Sequence, residues 1–121
     1  MSNLKLTISD VIKDLGIPAN LSGYHYIKYA AELVVNDISY MNKMTTRLYP
    51  DIAEHFNTSA TKVERAIRNA IEEGWYRGNI YTQNKLFGYT IKQGEDNPTN
   101  SEFIMTVADY INMLEGEDES K

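Results

Sequence analysis

The sequence predicts an all-α domain of about six helices with an embedded helix-turn-helix. Three observations carry that prediction. Apolar residues recur three and four apart from near the start of the chain to about residue 114. No stretch shows the convincing alternation of a half-buried strand, and no internal repeat is present. Finally, "YPDIAEHFNTSATKVERAIRNAIEEGW" reads as short helix, polar turn and longer helix. A chain of 121 residues fits one domain and is long enough to bury a core.

The elements follow in order. "LTISDVIKDLG" spaces Ile8, Val11, Ile12 and Leu15 as one helix face; Thr7 or Ser9 can cap it and Gly16 can end it. "IPAN" is a turn. Ser22 opens a longer helix lined by Tyr26, Ile27, Ala30, Leu33, Val34 and Ile38. A weaker pattern predicts a third helix over about 40–48. Pro50 suits the first turn of the next helix, where a missing N–H is harmless. Ile52, Ala53 and Phe56 are the inner residues of that short helix, and Asn57, Thr58 and Ser59 make the turn. Thr58 or Thr61 can cap the following helix, and Thr61 with Glu64 has capping-box spacing. Val63, Ala66, Ile67, Ala70 and Ile71 form its buried stripe, and Gly74 and Gly78 loosen its end. A short helix near 80–87 and the loop "YTIKQGEDNPTN" lead to a final helix over 100–114. That helix buries Phe103, Ile104, Val107, Ala108 and Ile111. Residues 1–114 form the domain, and 115–121 are expected to be an acidic disordered tail.

Composition excludes several function classes. Without cysteine there is neither a disulfide nor a thiolate metal site, which suits a reducing cytosol. The two histidines, His25 and His55, lie far apart in the chain, so no metal site is expected. There is no phosphate-binding glycine loop and no nucleophile elbow, so no enzyme activity and no cofactor are expected. Asp51 and Glu54 read as complements to a helix N-terminus. No apolar run reaches the roughly 18–20 residues of a membrane span, and "MSNLKLTISD" lacks a signal-peptide core. A cytoplasmic protein with no membrane partner is the expectation.

The net charge of −5 argues against indiscriminate nucleic-acid binding. The charge is unevenly spread, however. "EGEDESK" holds four acids and one lysine, whereas residues 58–79 hold Lys62, Arg65, Arg68 and Arg77 against Glu64, Glu72 and Glu73. A local basic face on an acidic body follows. The outer face of the second motif helix carries Thr61, Lys62, Glu64, Arg65, Arg68, Asn69 and Glu72. A DNA major groove admits one helix, and arginine can pair with guanine O6 and N7 together or grip a phosphate. Arg65 and Arg68, three apart, share a face. Glu64 can accept from a cytosine amino group, and Asn69 can read adenine or hold a phosphate. The same residues also read as ordinary solvated surface, with Arg68 paired to Glu64 or Glu72 one turn away. Tyr24, Tyr26 and Tyr29 on one helix read as half-buried packing or as an aromatic partner surface. Trp75 reads as a core anchor, with Leu86, Phe87 and Tyr89 packing the next loop.

The blocks "LYPDIAEHFNT", "VERAIRNAIE", "RGN", "LFGYT" and "PTNSEFI" together resemble the C-terminal effector domain of the master response regulator of sporulation initiation in endospore-forming bacteria. The resemblance spans about residues 5–112, with the blocks in the same order. It implies a DNA-binding transcription regulator whose second motif helix enters the major groove of a box close to TGTCGAA, often with two copies of the domain in tandem. Glu64, Arg65 and Arg68 match its base-reading face. Lys62 stands where the family usually has arginine, and Asn69 where it usually has histidine, which alters the expected base preference. Ser59, Thr61, Lys62, Arg77 and Asn79 are candidates for contact with the DNA backbone. Thr99, Asn100 and Ser101 keep the family's wording at the start of the final helix. There, free N–H groups can meet a phosphate, and capping explains the hydroxyls equally well.

Two departures bear on function. The family protein carries an N-terminal receiver domain, for which this chain has no room; if the chain is full length, receiver phosphorylation is not expected to control it, and if it is a piece of a longer protein that question stays open. The final helix reads "VADYINMLEGEDES", where the family tends to have lysine and arginine after "VAD". Tyr110 and Asn112 remove positive charge there, and fewer phosphate contacts mean weaker binding with a flatter salt dependence. The partners expected are therefore double-stranded DNA, a second copy on tandem sites, or alternatively a full-length regulator with which the domain forms a heterodimer.

Overall fold

In the computed structural model, which describes residues 4–88 and 97–119, six α-helices build the domain. They are α1 (Leu4–Asp14), α2 (Ser22–Asn36), α3 (Tyr49–Phe56), α4 (Ala60–Gly74), α5 (Ile80–Phe87) and α6 (Asn100–Glu119). The all-α prediction holds, with no strand among the described residues. The apolar faces read from the sequence meet in one core. Ile8, Ile12, Leu15, Ile27, Val34, Ile52, Val63, Ile67, Phe103, Ile104, Val107 and Ile111 are almost wholly buried. Helix α2 lies at the centre, against α1, α4 and α6. Tyr24, on α2, is buried and shares a hydrogen bond with the hydroxyl of Ser9 on α1.

Several boundaries differ from the sequence reading, each for a physical reason. Helix α2 stops at Asn36 because Asp37 leaves helical geometry and its carboxylate caps the next turn through the Ser39 N–H at 3.0 Å. Ile38 therefore leaves the α2 face and is more than half exposed. The predicted third helix over 40–48 is a 3-10 turn (Ile38–Asn42) followed by a π-type turn (Met44–Leu48). Arg47 ties this connection together. Its guanidinium meets Asp37 at 3.2 Å and lies 4.0 Å over the Tyr40 ring, while the Tyr40 hydroxyl donates to Asp51 at 2.6 Å.

Gly74 and Gly78 do not loosen the end of α4. A Cβ on Gly16 would overlap the Gly74 carbonyl oxygen, and one on Gly78 would overlap the Leu15 carbonyl oxygen. The chain after α1 thus packs backbone to backbone on the end of α4. Buried Gln83 joins the same place, donating to the Trp75 carbonyl at 2.6 Å and to that of Leu15 at 3.3 Å. Gly23 plays a similar part between α2 and α4, since its missing Cβ makes room for the Ala66 carbonyl. Helix α6 continues past residue 114 to Glu119, so its backbone takes in most of the stretch assigned to an acidic tail. No proline interrupts "MLEGEDE", and its leucine, methionine and glutamates are good helix formers. Tyr89 and most of the loop before Asn97 lie outside the described residues. No described helix is long and apolar enough to cross a membrane.

Candidate nucleic-acid interface

Helices α3 and α4 are joined by a turn of three residues, 57–59. Asn57 adopts the left-handed conformation (φ 57°, ψ 53°), which asparagine tolerates better than most residues. The N–H of Thr58 reaches back to the Ala53 carbonyl at 2.9 Å and closes the end of α3. Ser59, rather than Thr58 or Thr61, caps α4: its hydroxyl oxygen accepts from the Lys62 N–H at 3.2 Å. The capping box expected at Thr61–Glu64 forms elsewhere. Thr99 accepts from the Glu102 N–H at 3.1 Å, and Glu102 accepts from the Thr99 N–H at 2.9 Å, at the head of α6.

Helix α4 is strongly two-sided. Val63, Ile67, Ala70, Ile71 and Gly74 are buried, and Ala66 is half-buried against Gly23. Thr61, Lys62, Arg65, Arg68, Asn69 and Glu72 are exposed, and Glu64 is half-exposed. The four residues predicted to read bases therefore lie on the solvent side of one helix. Arg68 forms an ion pair with Glu64 one turn back, yet its side chain stays 47% exposed and accessible to an incoming groove.

Phe56, expected inside, is partly exposed. It joins Tyr26, Tyr29 and His55 in an edge-on aromatic cluster on α2 and α3, in which Tyr29 and His55 stack with ring centres 4.0 Å apart. His25 instead lies edge-on to Tyr24. Trp75 packs edge-on against Phe87 and Phe103, as a core anchor would.

The residues predicted to hold the DNA backbone are placed unevenly. Lys62 and Thr61 lie on the exposed side of α4's first turn, beside Ser59. Arg77 is exposed in the 3-10 turn after α4, Trp75–Arg77. Asn79 caps α5 by accepting from the Tyr81 N–H at 2.9 Å, and its own N–H bonds to the Asp14 carbonyl. Thr99 and Ser101 are exposed at the head of α6. Asn100 is half-buried: its amide donates to the Tyr49 hydroxyl at 3.2 Å and to the Glu64 carbonyl at 3.1 Å. An open cleft of ≈ 400 Å³ separates the outer face of α4 from the head of α6, lined by Tyr49, Glu64, Arg68, Glu72 and residues 97–101. Burial raises the pKa of the Tyr49 hydroxyl, against the opposing pull of the Asn100 donor.

Sequence reasoning missed Tyr49, which joins Asn100 across 51 positions of chain. No local pattern reports a contact of that separation. The family model described as "Sporulation initiation factor Spo0A C terminal" matches residues 8–111, which takes in every one of these elements except the ends of α1 and α6.

Proposed function

The chain belongs to the family of the C-terminal domain of sporulation initiation factor Spo0A, a DNA-binding effector domain of a sporulation regulator, and on that footing we propose how it reads DNA. Helix α4 lies in the major groove of a box close to TGTCGAA, with two copies of the domain on tandem boxes. Glu64, Arg65, Arg68 and Asn69 meet base edges. Lys62, Arg77, Ser59, Thr61, Asn79, Thr99 and Ser101 meet the phosphates around them. Ser59 and Thr99 accept backbone N–H bonds as caps, and each keeps its O–H to donate to a phosphate. The protein acts by binding, without catalysis, in the cytoplasm.

One observation carries the reading: Lys62, Arg65, Arg68 and Asn69 share the exposed side of a helix whose other side is locked in the core. A helix so placed can enter a groove without exposing its apolar stripe. The proposal is tested by fluorescence anisotropy of a duplex with two tandem boxes against a scrambled duplex, across a salt series. Tighter binding to the boxes, falling steeply as salt rises, is the expected result. Equal, weak binding to both duplexes would overturn it and direct the search to a protein partner.

A further inference from the structure

The amide of Asn100 sits where three helices meet. Tyr49 opens α3, Glu64 lies in the second turn of α4, and Asn100 is the first residue of α6. A primary amide carries two N–H groups. Both of Asn100's have acceptors inside the protein, the Tyr49 hydroxyl and the Glu64 carbonyl. In an α-helix the carbonyl of Glu64 is also the acceptor for the N–H of Arg68. One oxygen of the reading helix thus serves both its own ladder and the head of α6.

We infer that Asn100 is a positioning residue for the DNA-reading face: its amide fixes the second turn of α4 against α3 and α6, and it does not hold a phosphate. The inference rests on the reading of α4 as the groove helix. Side chains that recognise bases must be held within about half an ångström of their working geometry, and the groups behind them do the holding. The gripped carbonyl belongs to Glu64, Arg65 follows it, and Arg68 is one turn on. A shift of this turn would move all three together. The second partner strengthens the case, because Tyr49 is only 8% exposed and cannot itself reach DNA.

The test compares Asn100→Ala, Tyr49→Phe and the double variant, each bound to the box and scrambled duplexes across a salt series. Asn100→Ala is expected to lower the ratio of box to scrambled affinity about five- to tenfold, the worth of one or two part-buried hydrogen bonds. Its affinity for the scrambled duplex and its salt slope stay unchanged. Tyr49→Phe gives a smaller loss of the same kind, and the double variant is no worse than Asn100→Ala, as coupled residues require. Equal weakening on both duplexes, with Tyr49→Phe silent, means a phosphate contact and overturns the inference.

A measurement on the free protein keeps the clamp testable even if the wild-type chain binds neither duplex. Amide hydrogen exchange over residues 63–68 should quicken in Asn100→Ala relative to residues 70–74, and stay unchanged in Ser101→Ala, the exposed neighbour. Unchanged exchange in Asn100→Ala overturns the clamp whatever the DNA result. Should Asn100→Ala fail to fold, Tyr49→Phe, which keeps the ring, carries both measurements.

Discussion

Arg68 is the residue on which the proposed reading turns. In the free protein it is paired with Glu64 on the same helix. Such an exposed pair one turn apart contributes only ~0.2–0.5 kcal/mol, whereas a bidentate arginine–guanine contact discriminates by ~1–3 kcal/mol. On the proposed reading, groove binding therefore wins the competition for the guanidinium. Arg68→Ala is expected to weaken binding to the box by ~1–3 kcal/mol in an anisotropy titration, with a much smaller effect on scrambled DNA. Lys62→Ala should behave differently, weakening both duplexes alike and flattening the salt slope by about one, as loss of a phosphate contact does. The identity of these exposed residues was legible in the sequence, since helical spacing alone puts Arg65 and Arg68 on the side opposite Val63 and Ile67. The Asn100–Tyr49 contact was not legible, because it is made by chain folding and leaves no periodic trace.

At the scale of the element, the helices themselves were readable because each buries one stripe at a period of 3.6 residues. Their ends were less so, for ends are decided by individual hydrogen bonds. Thr58, Ser59 and Thr61 are all competent caps by type, and only the extended backbone of Ser59 (φ −108°, ψ 153°) aims a hydroxyl at the Lys62 N–H. Ser59→Ala should then destabilise the protein by ~0.5–2 kcal/mol in a denaturant titration, where Thr61→Ala should do far less. Gly74 and Gly78 misled for a different reason, the closeness of neighbouring backbone. Flexibility is the common reading of a glycine near a helix end, but Gly23, Gly74 and Gly78 are sites of close backbone approach. Gly23→Ala must push α2 off α4, with the Ala70 Cβ 2.7 Å from the added methyl, and should lower stability by ~1–3 kcal/mol or more by thermal melt. The weak pattern over 40–48 reflects a segment held by Arg47, Asp37 and Tyr40 instead of by an apolar stripe.

For the whole molecule, the acidic C-terminal stretch and the cations of α4 are kept apart by distance. Helix α6 begins beside α4, the proposed reading helix, with Asn100 and runs for 20 residues, so its far end stands ~30 Å away along the axis. At physiological salt, charges are screened beyond ~8 Å. Removal of residues 115–121 is expected to change affinity for the box by about twofold or less at that salt, and to raise it more clearly at low salt, in the same anisotropy assay. The pH response is also a property of the whole fold. The Tyr40 hydroxyl is raised in pKa by its hydrogen bond to Asp51, and that of Tyr49 by burial. Unfolded tyrosines lose their protons first, near pH 10, so above that pH the native state binds more protons than the unfolded one. Stability should fall as pH rises through this range, and thermal melts from pH 8 to 11 would register it. Asp37 acts at the opposite end. Bonds from Ser39, and then the charge of Arg47, hold its carboxylate below its ordinary pKa, so its contribution is present above about pH 4 and lost on acidification.

The meeting of Gly16, Gly74 and Gly78 also constrains which other sequences can adopt this fold. The end of α1 and the end of α4, far apart in the chain, meet here through their backbones: a Cβ on Gly16 would strike Gly74 and Gly78, one on Gly74 would strike Gly16, and one on Gly78 would strike the Leu15 carbonyl and Gln83. Gly16 is further bound by its positive φ of 108°, a conformation that residues with a side chain rarely adopt. In a collection of related chains these three positions should therefore stay glycine together, or be lost together with the crossing of the α1–α2 turn over the end of α4. A searcher given only sequences could use that joint invariance as a fingerprint, and a designer re-using the scaffold should leave all three untouched.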